Sequence, residues 1–492
     1  MGDNLAGELT FSPRKRVHQS PHPQKATSSM TTQQSAATST PDAAGLGHSL
    51  KQRQLTMMGL GSAIGAGLFL GSGKGIEAAG PAVLISYLAA GTLIILVMWA
   101  LGEMAAANPS SGAFSVYAQK ALGPVAGSTV GWLWWLQLVV VIAAEALGAA
   151  GLLVTIWPVL PVWALTLIFM VAFTAVNLTT VKNYGEFEFW FALLKVAAIV
   201  LFLAFGAALL LGWMPGAASP GLANFTGNGG FAPNGMGGIA TALFVVVFAF
   251  GGTEIVAVAA AETDNPERSV AIAIRTVVWR ILVFYIGSIF VIAAVLPWNS
   301  PALDSPFAGV LNSAGISWAG TAITLVAVAA LLSALNANLY GASRMIYSLA
   351  GRGEAPRIFS RTSGSRVPVA AVGVSVLFGF ATVVFEVLFP GRVLDMLLNL
   401  VGSTCLVVWG TTLVSQLVLR RRADREGTPL PLRMKGFPLL SCVGLVLLAA
   451  IFAVGFTGAQ SRDQLFGTFA LVAGIAAVCA LSRRRQRSLA RD

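Results

Sequence analysis

Beyond residue 50 the chain consists of long apolar stretches separated by short polar segments, and the apolar positions run continuously instead of alternating. Stretches near the roughly 20 residues that cross a bilayer as a helix fall at 54–73, 81–102, 126–156, 162–180, 189–212, 237–260, 277–296, 317–347, 369–389, 393–418, 437–457 and 464–482. The pattern predicts twelve transmembrane helices in an all-α polytopic membrane protein, with both chain ends on one side. Barrel strands would be half this length and alternating. Residues 1–50 hold no apolar run and are rich in Ser, Thr, Gln and Pro. They predict a disordered tail and no cleavable signal peptide, with Met30 as an alternative start to Met1.

Two spans are interrupted. Gly59 to Gly73 contains six glycines, each costing about 1 kcal/mol relative to alanine in a helix interior. Bare backbone is tolerated at membrane depth only where it lines a cavity; the alternative is a small-residue packing face. The second interruption is Phe248 to Val256, with Gly251 and Gly252 paired at its centre. Spans 1 and 6 correspond if the transport domain, 51–482, holds two five-helix halves, 54–212 and 237–418, followed by two further helices at 437–482. An odd number of spans inverts the second half, and glycine-broken spans at matching positions of inverted halves point to a substrate site. Amides freed in span 1, at Ala63, Ile64, Gly65, Ala66 and Gly67, suit a carboxylate. Carbonyls freed in span 6 suit an ammonium group, with Phe248, Ala249, Phe250, Gly251 and Thr253 lining that side and the rim. The two phenylalanines have an alternative role as core or lipid-facing residues.

Composition and charge narrow the class. Hydrophobic residues make up 56% of the chain and charged ones 10%, which excludes a soluble globular protein. Of 31 Lys and Arg residues only Lys74, Arg392 and Arg462 fall in segments placed outside, and Lys195 lies within a span. The basic excess elsewhere marks the cytoplasmic side, so both termini, including the basic tail 483–492, are expected in the cytoplasm and the protein in the plasma membrane. The net charge of +11 reports topology and anionic lipid headgroups and needs no nucleic-acid partner. His18, His22 and His48 all sit in the N-terminal tail, and Cys405, Cys442 and Cys479 lie in separate spans. A metal site or disulfide framework is not expected, and a histidine general base is missing from the membrane domain, which argues against an enzyme. No phosphate-cradling Gly-x-x-x-x-Gly-Lys-Ser/Thr loop occurs, so neither ATP nor another cofactor is expected.

The residues that carry a family resemblance run through most of the chain: Arg53-Gln-Leu-Thr-Met, the broken first span, Glu-Ala-Ala-Gly-Pro-Ala at 77–82, Gly102-Glu-Met-Ala, 181–190 (Val-Lys-Asn-Tyr-Gly-Glu-Phe-Glu-Phe-Trp), 229–235 (Gly-Gly-Phe-Ala-Pro-Asn-Gly), Ala261 to Glu267, Asn336 to Leu349 and Arg352-Gly-Glu-Ala-Pro356. Over about 50–460 the sequence resembles the amino acid permeases of the amino acid–polyamine–organocation superfamily. Its runs 181–190 and 229–235 are most similar to those of γ-aminobutyrate permeases. The resemblance implies the leucine-transporter fold.

Ionisable residues within spans are costly and mark functional sites unless paired or solvated. Lys195, expected about two turns or roughly 9 Å inside span 5, either snorkels to the interface or stands in for a sodium ion and exchanges a proton. The resemblance supports the second role, because related proton-coupled permeases carry a lysine at this point. Gly61, Ser62, Ser333 and Asn336 are its expected neighbours. Glu145 is a candidate proton site or contact for the substrate's amino group. Glu103 and Glu254 are expected to face the bundle in gating or structural roles, and Ser333 and Ser343 to bond between helices. Arg344, Glu262, Asp264 and Arg268 are expected to form an inner gate or to be solvated.

The sequence therefore predicts a secondary transporter that takes up γ-aminobutyrate or another neutral amino acid together with protons. The alternatives are a permease for proline or aromatic amino acids, an exchanger, and an amino acid sensor that binds without transporting.

Overall fold

The computed structural model describes residues 57, 64–110, 112–178, 181–216, 219–255, 268, 271, 274, 282–364 and 367–489. The expected tail 1–50 lies outside them. In chain order the helices are α1 (Ala66–Phe69), α2 (Gly71–Ala79), α3 (Val83–Ala107), α4 (Ala113–Leu122), α5 (Pro124–Ile156), α6 (Val162–Asn177), α7 (Val181–Leu210), α8 (Ala223–Thr226), α9 (Gly235–Phe250), α10 (Gly287–Val295), α11 (Pro306–Ser313), α12 (Ser317–Gly351), α13 (Val369–Leu388), α14 (Val393–Glu426), α15 (Leu439–Gly455) and α16 (Ala459–Leu489). No strand occurs among the described residues.

Among the described residues, seven helical segments are long and apolar enough to cross a membrane: Ala66–Ala107, Pro124–Ile156, Glu188–Leu210, Ser317–Gly351, Val369–Leu388, Val393–Glu426 and Ala459–Gln486. Four shorter apolar helices, Val162–Asn177, Gly235–Phe250, Leu282–Val295 and Leu439–Gly455, coincide with other expected spans. Large apolar side chains such as Leu201, Leu377, Val446 and Leu481 are exposed, as lipid-facing positions of a polytopic membrane protein are. The core is laid down where α5 packs along α12. Small residues permit the close approach: a Cβ on Gly148 would meet Leu331 Cδ2 at 3.0 Å and one on Gly131 would meet Leu349 Cδ2 at 2.8 Å.

Several boundaries differ from expectation. The first apolar segment does not end at 73 but continues helically to Ala79, so Lys74 is a helix residue, 3.3 Å from Glu77 and 3.7 Å from Asp304. A turn at Gly80, with φ +62°, separates it from α3. The Gly-Gly-Phe-Ala-Pro-Asn-Gly run closes that turn: Asn234 Nδ2 donates to Ala78 O at 2.9 Å and Ala82 N to Phe231 O at 2.9 Å, satisfying groups that a helix end leaves bare. Helix α7 begins at Val181, ahead of its apolar stretch, which runs Glu188–Leu210. The last helix runs to Leu489, so most of the expected basic tail is helical. Its Arg483 pairs with Glu354, which also accepts Arg352 Nη2 at 3.1 Å, and Arg352 in turn reaches Ser115 on α4.

Candidate functional site

The two interruptions come together. At Gly65 the backbone leaves the helical region, with φ −145° and ψ −147°, and α1 starts at Ala66. At the end of α9, Gly251 is extended and Gly252 adopts φ +95°, a left-handed backbone that favours glycine. The breaks touch directly, because a Cβ on Gly67 would collide with the Cα of Ala249. Glycine is therefore required there by backbone-to-backbone contact.

Each break is satisfied by a buried acid from the protein. The Ala66 N–H is donated to Glu145 of α5, at 3.1 Å to Oε1 and 2.9 Å to Oε2. A Cβ on Gly65 would strike the same carboxylate and sit 2.8 Å from the Cβ of Ala334. Glu254 accepts the Gly252 N–H at 2.7 Å and Trp409 Nε1 at 2.5 Å, while Thr253 Oγ1 donates to Phe250 O at 3.2 Å. The span 6 carbonyls also hold bonds already: Phe248 O accepts Gly251 N at 2.9 Å, and Ala249 O accepts the Tyr285 hydroxyl at 2.9 Å. Each carbonyl keeps a second lone pair.

Between the breaks lies an enclosed cavity of about 10 Å³ lined by Gly65, Gly67, Gln137, Glu145, Phe248, Gly251 and Asn338 among others. That volume holds at most one water, so an amino acid enters only if the helices part. Two larger grooves, of about 490 and 300 Å³, are apolar and lie away from the breaks, one between α5 and α16 and one between α7 and α12.

Lys195 is fully buried. It stands seven residues, about 10 Å, past Glu188, where the apolar span Glu188–Leu210 begins, close to the expected 9 Å, and full burial removes the snorkelling alternative. Its electrostatic partners are the carboxyls of Glu188 and Glu145. Glu188 is buried on the same helix and accepts Ser333 Oγ at 2.7 Å. Sequence reasoning passed over Glu188, although seven residues, two helical turns, separate it from Lys195 and place both on one face.

Of the remaining expected residues, Asn336 is buried and its Oδ1 accepts Asn177 Nδ2 at 2.6 Å. Ile64 and Phe250 are buried close to the breaks, and the Phe250 ring packs 4.9 Å from Tyr285 and 5.8 Å from Tyr87. Glu103 is away from the breaks, holding Arg420 at 2.7 Å. Arg344 lies with its guanidinium 3.9 Å over the Tyr340 ring. Ala63, Gly61, Ser62, Glu262 and Asp264 lie outside the described residues. Among the described residues no cluster of His, Cys, Asp and Glu could hold a metal ion.

Comparison with known proteins identifies the framework around these breaks. Residues 54–481 match the model of the amino acid permease family. The chain is 48% identical over 427 residues to an aromatic amino acid transport protein of Corynebacterium glutamicum, covering 86% of this chain and 92% of that relative. It is 43% identical over 445 residues to a γ-aminobutyric acid permease of Bacillus subtilis, covering 90% and 95%. A γ-aminobutyric acid permease of Escherichia coli is 41% identical over 432 residues, covering 87% and 93%. The family and these relatives are transporters and not enzymes, and the chain belongs to the amino acid permease family.

Proposed function

We propose that this permease is a secondary active transporter that carries γ-aminobutyrate or another neutral amino acid inward with protons. Its twelve spans are arranged as a leucine-transporter-like five-plus-five inverted repeat at 54–212 and 237–418, with 437–482 outside the repeats. Both termini face the cytoplasm. The observation that carries the reading is the meeting of two broken helices at Gly67 and Ala249 with an acid, Glu145, on the first amide beyond the break.

The residues around the breaks then take roles. A substrate carboxylate binds along Ile64, Gly65, Ala66 and Gly67 (with Ala63), displacing Glu145 from Ala66. The amino group lies toward the break at Phe248, Phe250, Gly251 and Thr253. Lys195, with Glu145 and Glu188 as charge partners, exchanges the coupled proton. Ser333 and Asn336 hold the surroundings of that group, and Glu254 and Glu103 serve structural or gating roles. A second reading, transport of aromatic amino acids, is favoured by the 48% identity to the Corynebacterium glutamicum protein.

Uptake of a labelled amino acid panel into proteoliposomes, with and without an imposed pH gradient that is acidic outside, tests the reading. Accumulation of a neutral amino acid only under the gradient is the expected result. Uptake that is indifferent to the gradient removes proton coupling, and binding without accumulation of any amino acid removes transport.

A further inference from the structure

Gln137 is 4% exposed, lines the cavity between the two breaks, and its Oε1 has no hydrogen-bond partner among the described residues. A buried amide oxygen left unpaired is costly, and such groups in native proteins call for an explanation. The nearby polar groups do not supply one. Asn338 Nδ2 donates to Ala334 O of its own helix at 2.7 Å, and the Glu145 carboxylate is engaged at Ala66.

The placement of Gln137 is directional. Gln137, Val141 and Glu145 are spaced four residues apart on α5 and face the same way; the Cα atoms of Gln137 and Glu145 stand about 12 Å apart along the helix axis, and both side chains line the same small cavity. Leu138, Val141 and Phe248 form apolar walls in the same cavity. A molecule whose carboxylate replaces Glu145 at Ala66 would run its methylenes past these walls, and its far end would arrive at Gln137.

We propose that Gln137 is a specificity-determining residue: it accepts a hydrogen bond from the end of the substrate remote from the carboxylate and so favours an ω-ammonium group over an unsubstituted aromatic ring. This inference rests on the transport reading above. A phenyl ring offers the amide neither donor nor acceptor, so turning the amide over does not rescue it. Sites built to bond a polar group reject analogues that lack it far more strongly than apolar sites reject extra bulk.

The test compares labelled γ-aminobutyrate and phenylalanine in proteoliposomes holding the full chain, wild type or Gln137→Leu, which keeps a similar volume without the amide. Wild type should prefer γ-aminobutyrate, and the substitution should lower its kcat/KM at least tenfold while leaving phenylalanine unchanged or improved. An equal fall for both substrates assigns Gln137 a structural role and overturns the inference, as does an unchanged ratio. Wild type alone gives an independent measurement that needs no variant: competition of γ-aminobutyrate uptake by butyrate, the same chain without the ammonium. Butyrate should compete at least tenfold more weakly than γ-aminobutyrate itself. Equal competition by butyrate or phenylalanine overturns the inference while leaving transport intact, whereas a wild type inert to every amino acid overturns both.

Discussion

The carboxylate of Glu145 takes the backbone N–H of Ala66 through both of its oxygens, at 3.1 and 2.9 Å. Charge-assisted bonds of this kind are about twice as strong as neutral ones, and the bonded amide opens the helix beyond the break, where a negative charge is favoured. The protein thus keeps an internal carboxylate on an amide that a substrate carboxylate would need. The bond holds the break in one arrangement, and in the proposed function it is the bond that a substrate carboxylate replaces.

Glu145→Gln replaces an ionisable carboxyl by an amide of the same shape that cannot titrate. The side chain still accepts from Ala66, so the fold should survive with little change in thermal midpoint. Uptake driven by a pH gradient should fall at least tenfold, because Lys195 loses one of the two carboxyl partners of its proton exchange. Substrate counterflow without a gradient should fall less. Gradient-driven uptake equal to that of wild type in Glu145→Gln vesicles would refute the assigned role.

Gly65 and Gly67 should tolerate no side chain. A methyl at Gly67 meets the Cα of Ala249, which cannot rotate aside, and one at Gly65 meets Glu145 and Ala334. Overpacking of this sort costs about 1–3 kcal/mol. Gly65→Val and Gly67→Ala should therefore lower the unfolding midpoint in detergent and abolish uptake. Gly151 on α5, where an added methyl would meet nothing within 4 Å, is the control: Gly151→Ala should be neutral or stabilised by up to about 1 kcal/mol.

How much of this was legible beforehand depends on the scale of the signal. Apolar runs of about 20 residues marked the spans because a bilayer demands that length, and the glycine runs marked both breaks because an uninterrupted helix gains nothing from them. Helix α4 escaped because its ten residues, with Phe114, Val116 and Tyr117 buried, are too few for a span. Glu188 was missed because its partnership with Lys195 depends on where α7 begins, and apolarity starts eight residues after the helix does. Gln137 carries no sequence signal at all: a lone glutamine in an apolar span reads as an interhelical bond, and only the cavity reveals that its oxygen has no partner among the described residues. The occupation of Ala66 by Glu145 was equally invisible, since it joins residues 79 positions apart.

Lys195 and Glu188 should be coupled. Both are fully buried, and removing one partner of a buried charge pair typically costs about 3–5 kcal/mol. Lys195→Met and Glu188→Gln should each destabilise the protein in thermal unfolding and eliminate gradient-driven accumulation. The double substitution should recover part of the stability, as neighbours in one network are non-additive, and none of the accumulation. Additive stability losses would show that the two groups do not interact.

Glu103 anchors a different network, remote from the breaks. Its Oε2 accepts Arg420 Nη1 at 2.7 Å and the Met434 N–H at 2.6 Å, and its Oε1 accepts Gln416 Nε2 at 3.0 Å. Gln416 Oε1 in turn accepts the Ser441 hydroxyl at 2.8 Å. One carboxylate therefore ties α3 to α14, to the segment before α15 and, through Gln416, to α15 itself. Glu103→Ala strands the Met434 amide and leaves Arg420 with Asp424, 3.1 Å away on the same helix, as its remaining ion-pair partner among the described residues. By the same reasoning as for any buried pair, the loss should be about 3–5 kcal/mol, read as a lower unfolding midpoint and reduced yield of folded protein. Because no member of this network lines the cavity, the preference among amino acids and the response to a pH gradient should persist in whatever protein folds. A Glu103→Ala protein with a wild-type midpoint and an altered gradient response would move Glu103 from scaffold to gate.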